Sequence, residues 1–187
     1  MRPIRLAPSL VACFRRRVFG HNSPMLKDTF ERIVEAVVEA CREVYGERLV
    51  ALALFGSVAR GTMRPDSDID LLLIVNPLPA GRLARQLEFE QIDRRVEPLL
   101  AQARRAGVHT VLSPVLKTPE ELRAGSFLHL DLPDEARLLW DPAGTLRGYL
   151  DDLRARLKAM GARRVGSGAG AYWILKPDYR WGDRIEL

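Results

Sequence analysis

The chain is predicted to be an α/β (α+β) protein on three observations. Two runs of strand length, Leu49–Phe55 (LVALALF) and Ile69–Val75 (IDLLLIV), are almost wholly apolar. Segments on either side repeat their apolar residues at helical spacing, so helices bracket the strands. Glycine and proline fall between these segments rather than inside most of them, where they punctuate the chain.

Each element follows from its own residues. Asp28 or Thr29 is placed to cap a first helix reaching about Tyr45, with Phe30, Ile33, Val34, Val37, Val38, Cys41 and Val44 as its apolar stripe. Gly46 ends it. The strands Leu49–Phe55 and Ile69–Val75 follow, and Asn76-Pro77-Leu78-Pro79 breaks the second. A long helix is expected over about Arg82–Arg105, kinked or divided at Pro98 and stopped by Gly107. Val108–Leu116 reads as a third strand, with Pro114 placing it at an edge or bulge. Thr118-Pro119-Glu120-Glu121 is a helix start with a cap, a first-turn proline and a glutamate at the third position. Ala136–Trp140 suits a short strand, and Asp141-Pro142 a cap for a helix to about Met160 with Leu146, Leu150, Leu153 and Leu157 as its stripe. That stripe suits core packing or a dimer surface. Val165–Ala171 reads as a linker into Tyr172–Asp183, whose four aromatics suit a tail docked on the body or, alternatively, a base-stacking surface.

Composition narrows the function. An apolar share of 47% in 187 residues supports a sizeable core. No apolar stretch approaches the roughly 20 residues of a membrane helix. Cys13 and Cys41 make neither a disulfide framework nor a metal cluster, and a reducing cytoplasm fits. The net charge of +5 resides in residues 1–24, which carry Arg2, Arg5, Arg15, Arg16 and Arg17 and no acid. The remainder is balanced, so the high pI does not argue for a basic nucleic-acid face. Residues 1–25 read as an Arg-rich arm or as sequence upstream of a start at Met25, in preference to a targeting peptide.

The most informative segment is Gly56–Val75, GSVARGTMRPDSDIDLLLIV. Alternation along a strand puts Asp68 and Asp70 on one face and Ile69 and Leu71 on the other. Paired carboxylates at the start of a buried strand repel each other and resist desolvation, a cost that a divalent metal removes. Gly56 permits a tight turn, Ser57 suits a helix N-cap, and free N–H groups there can hold phosphate. Arg60, one turn after Ser57, and Arg64 are placed to neutralise phosphate charge.

Gly-Ser, a ten-residue spacer and Asp-x-Asp within an apolar strand resemble the nucleotidyltransferase signature of the DNA polymerase beta superfamily, most closely its minimal nucleotidyltransferase (MNT-like) branch. The resemblance covers about residues 26–120. It implies a nucleotidyltransferase-type mixed sheet flanked by helices, and residues 121–187 read as a helical extension and C-terminal tail. It implies transfer of a nucleoside monophosphate, AMP from ATP in the first instance, to a hydroxyl acceptor, with two Mg²⁺ ions. By position, Gly56, Ser57 and Arg60 would bind nucleotide, and Asp68 and Asp70 would be the catalytic metal ligands. Some minimal members are antitoxins that modify a HEPN-type toxin, so a protein acceptor of that kind is one expectation. A tRNA end and a small molecule are others.

One departure stands out. Active members of this type usually carry a third carboxylate on a later strand, yet no Asp or Glu occurs from Pro98 to Pro119, and Ser113 sits where that acid is expected. Either two carboxylates suffice, or Glu97, Asp131 or Asp178 reaches in, or the domain is a nucleotide-binding or partner-neutralising module without fast chemistry.

Overall fold

The computed structural model describes residues 24–126, 130–166 and 171–179. Helix α1 (Pro24–Tyr45) leads through a short 3-10 turn into β1 (Leu49–Phe55), the four-residue helix α2 (Gly56–Ala59) and β2 (Ile69–Val75). Then come α3 (Arg82–Arg105), β3 (Leu112–Lys117), α4 (Pro119–Arg123), α5 (Leu132–Glu135), β4 (Arg137–Trp140), α6 (Thr145–Ala159), and the strands β5 (Arg163–Val165) and β6 (Tyr172–Ile174).

The main sheet has the order β3-β2-β1-β4 and is mixed: β1 is antiparallel to β2 and β4, whereas β2 and β3 are parallel. Both faces are covered, as expected for strands that read as continuous apolar runs. On one face Leu52, Leu54, Leu71, Leu73 and Val75 pack with the stripes of α1 and α3. On the other Ala51, Ala53, Leu72 and Ile74 pack with Leu122 of α4 and with Leu146, Tyr149, Leu150, Leu153 and Leu157 of α6. An irregularity in the β1–β2 ladder between Leu49 and Ala51 lets Val50 and Ala51 both serve the α6 face.

Several expectations are refined. α1 starts before Asp28, at Pro24, and Thr29 donates its hydroxyl to the Met25 carbonyl at 2.8 Å instead of capping. α3 runs undivided through Pro98. A proline removes one helical hydrogen bond, and the fully buried Phe89, Ile92 and Val96 hold the preceding turns in place. β3 begins at Leu112, not Val108, and is an edge strand, which suits Pro114. The Thr118–Glu121 capping box is present. α6 begins at Thr145, later than expected, but the Asp141 carboxylate still accepts hydrogen bonds from the N–H groups of Leu146 and Arg147.

The division expected at residue 120 falls within the main sheet, because β4 lies beyond it and pairs with β1. Residues past 120 therefore contribute strands as well as helices. Arg137 of β4 also makes a bidentate ion pair with Glu31 of α1, at 2.7 and 2.9 Å. The segment read as a linker joins two paired strands: β5 and β6 form an antiparallel hairpin. Trp173 and Leu175 pack against the α6-side core, and Trp173 Nε1 donates to Asp131 at 2.8 Å. The tail thus docks on the body through Trp173, and a stacking platform is not what this ring provides. Residues 1–23, 127–129, 167–170 and 180–187 lie outside the described residues, and with them the Arg-rich arm, Cys13, Arg180 and Trp181.

Candidate active site

The site forms where β1 ends and β2 begins. Antiparallel pairing sets Phe55 opposite Asp70, so the Gly56 turn emerges beside the Asp70 carboxylate. Gly56 has φ +72°, a conformation that costs an L side chain energy. A Cβ added there would lie 2.1 Å from Asp70 Oδ2. The carboxylate occupies the space that any other residue would fill. The Gly-Ser turn and the second aspartate are therefore one packed unit. The turn closes with Arg60 N–H donating to the Gly56 carbonyl at 3.2 Å and Thr62 N–H to the Ser57 carbonyl at 2.9 Å. The first N–H groups of a helix lack intrahelical partners, which leaves those following Gly56 suited to an anion.

Asp70 is half-buried and shares its face with Leu72 and Ile74, while Asp68 is exposed just ahead of β2. Burial pushes the Asp70 carboxyl above its ordinary range. A hydrogen bond from the Ser113 hydroxyl draws it back, the charge of Asp68 pushes it up and that of Arg60 lowers it. A half-desolvated carboxylate raised further by a neighbouring aspartate is a donor set that a hard divalent cation would neutralise.

Ser113 lies directly across the parallel β2–β3 ladder from Asp70. It occupies the position where the third acid was expected, and its hydroxyl favours the ionised form of Asp70 instead of adding a carboxylate. Among the described residues no third His, Cys, Asp or Glu joins the pair. None of the three alternative acids is drawn into the pair: Glu97 pairs with Arg104 on α3, Asp131 takes Trp173 and Arg164, and Asp178 is exposed in the tail.

Arg60 follows α2 directly, and its guanidinium is ion-paired with Glu135 at the end of α5. Glu135 also faces Arg164 of β5 at 3.6 Å, and Arg164 contacts Asp131 at 3.1 Å. Arg64 is exposed, its backbone N–H bonded to Ser67 Oγ at 2.9 Å. Glu135 and Arg164 had no sequence signal: Glu135 lies 75 residues from Arg60, and only the fold joins them.

Comparison with known proteins bears on this geometry. Residues 34–114 match a family model described as "Nucleotidyltransferase domain". The chain is 29% identical over 128 residues to the "Putative protein adenylyltransferase" of Methanocaldococcus jannaschii, spanning 67% of this chain and 82% of that protein. Among solved structures, one described as a toxin-antitoxin with AMP-PNP aligns with a TM-score of 0.43 and 17% identity. A mutant form of the toxin-antitoxin MntA-HpeT aligns at 0.44 and 18%. Each alignment covers 67% of this chain and 86% of the other. The matched segment runs from α1 through both strands of the site to Pro114 of β3. Residues 34–114 thus carry the match to a nucleotidyltransferase domain, and this match together with the adenylyltransferase relative supports a transferase of the nucleotidyl-transfer class.

Proposed function

We propose that the chain transfers AMP from ATP to a hydroxyl group on a protein acceptor, with Asp68 and Asp70 as metal ligands and Gly56-Ser57 as the phosphate-binding turn. The observation that carries this reading is the contact between Gly56 and Asp70, where only the lack of a Cβ lets the phosphate turn and the carboxylate share one spot. Magnesium suits a two-carboxylate site, since it retains waters and takes its remaining ligands from substrate phosphates. When bound, it supplies charge neutralisation and orientation of the triphosphate.

The residues of the chain do the rest. The N–H groups at the start of α2 hold phosphate oxygens, and Arg60 offsets triphosphate charge from the other end of that turn. Ser113 steadies Asp70 in its ionised form. The acceptor oxygen attacks the α-phosphorus, a new O–P bond forms, and the bridging bond to the β-phosphate breaks. Pyrophosphate leaves, and the hydroxyl proton passes to solvent. A protein acceptor follows the description of the archaeal relative. A HEPN-type toxin is the narrower candidate that the sequence resemblance suggests. A reducing, cytoplasmic setting suits the buried thiol of Cys41, and no described helix is long and apolar enough to cross a membrane.

Calorimetric titration of α,β-methylene ATP with Mg²⁺ tests the proposal. Wild type is expected to bind in a metal-dependent way, with Asp68→Ala and Asp70→Ala each weakening binding about a hundredfold. Binding that is indifferent to both aspartates would overturn it.

A further inference from the structure

The Arg60–Glu135 ion pair links the phosphate turn to a helix 75 residues further along the chain. Strand register brings it about. Arg137 of β4 pairs with Leu54 of β1, so Glu135, two residues before it, comes to the same end of the sheet as Gly56. Glu135 is only 15% exposed, and its two carboxylate oxygens meet two arginines, Arg60 through Oε2 and Arg164 through Oε1. Arg164 in turn holds Asp131, which accepts from the docked Trp173. A chain of charged and hydrogen-bonded groups therefore runs from the α2 turn to the β5–β6 hairpin.

We propose that Glu135 is a positioning residue that fixes Arg60 for the nucleotide phosphates, and that the β5–β6 hairpin braces Glu135 through Arg164. This rests on the nucleotidyl-transfer reading above. A guanidinium has five N–H donors in a rigid fork. Glu135 engages Nη1 and leaves the remaining donors for phosphate. A long side chain fixed in this way loses less rotamer freedom when the ligand arrives. Arg164 offsets the second share of the Glu135 charge, which would otherwise repel a triphosphate.

The competing reading makes Glu135 merely an acidic neighbour of the site, and the two differ in sign. Removing a carboxylate beside a bound polyanion strengthens binding by simple Coulomb effects, whereas removing a positioning residue weakens it. The test titrates α,β-methylene ATP with Mg²⁺ into the full chain and its variants. Arg60→Ala is expected to weaken binding about tenfold and Glu135→Ala about fourfold, as loss of charge-assisted contacts implies. Arg164→Ala is expected to cost about twofold. In the Arg60→Ala background, Glu135→Ala should change nothing further, since positioning acts through Arg60.

Tighter or unchanged binding by Glu135→Ala, or an equal loss with Arg60 already removed, overturns the inference while nucleotide binding by wild type stands. Should Glu135→Ala fail to fold, Glu135→Gln keeps the shape without the charge and is read by the same criteria. A wild type that binds no nucleotide overturns the nucleotidyl-transfer reading, and this inference with it. The ¹⁵N signal of Arg60 Nε–H in the nucleotide-free protein reports the pairing separately: it should be ordered in wild type and lost in the Glu135 variant.

Discussion

The two faces of the sheet solve different problems. Under α1 and α3 the face is apolar from end to end, with Leu52, Leu54, Ile69, Leu71 and Leu73 all fully buried. Under α4 and α6 it starts in the same way with Ala51, Ala53, Leu72 and Ile74, then changes character at Asp70. From there outward it is held by directed contacts: Gly56 against the Asp70 carboxylate, Ser113 opposite, and the sequence Arg60, Glu135, Arg164, Asp131 and Trp173. Apolar burial stabilises without regard to direction. Chemistry needs direction, and the candidate site lies where one face's core ends and the other face still anchors the strands that carry it.

Substitutions on the two faces should therefore separate stability from binding. The largest effect on stability is expected from Leu73→Ala on the α1–α3 face. Deleting this fully buried side chain should cost about 2–5 kcal/mol while leaving nucleotide affinity intact in protein that remains folded, as read by urea denaturation and titration. A large change in affinity would mean that the faces are coupled more tightly than their cores suggest.

Gly56→Ala should do the reverse. The left-handed backbone costs an alanine about 1–2 kcal/mol, and the new methyl forces the Asp70 carboxylate out of its place. Metal-dependent nucleotide binding should fall by about tenfold or more, and thermal melting should show only the modest backbone cost. Unchanged affinity would detach the turn from the carboxylate.

The smallest effect concerns α4. Arg85 makes a bidentate pair with Glu121 at 2.8 Å, and this holds the Glu121 carboxyl down to about 2. Because the folded value lies below the ordinary one of about 4.3, the pair's contribution is complete above that pH and is lost as pH falls towards 2. Glu121 is partly exposed, so the contribution is below about 1 kcal/mol. Melting temperatures of wild type and Glu121→Gln should converge between pH 4.5 and 2, and parallel curves would remove the pair from the account.

Much of this is legible in the residues. The strands Leu49–Phe55 and Ile69–Val75 have the bounds that the sequence predicts, because apolar runs of strand length flanked by glycine and proline admit few alternatives. The same holds for the capping box at Thr118, whose chemistry is local. The pairing of Asp68 and Asp70 follows from alternation alone. The sequence pattern starts β3 four residues too early, since Val108 is buried and apolar without belonging to a ladder. The short strand read at Ala136–Trp140 is present as β4, but its place beside β1 in the main sheet is a long-range pairing that four residues do not reveal.

The sequence by itself determined the strands, the turn between them and the two carboxylates, because each depends on near neighbours and on side-chain alternation. Only the tertiary structure decided that Ser113 stands across from Asp70, that the Asp70 carboxylate fills the space of the missing Gly56 Cβ, and that Arg60 meets Glu135, which also faces Arg164. Those contacts join residues far apart in the chain, and they arise from sheet register, which is settled by the packing of the whole sheet rather than by any one segment.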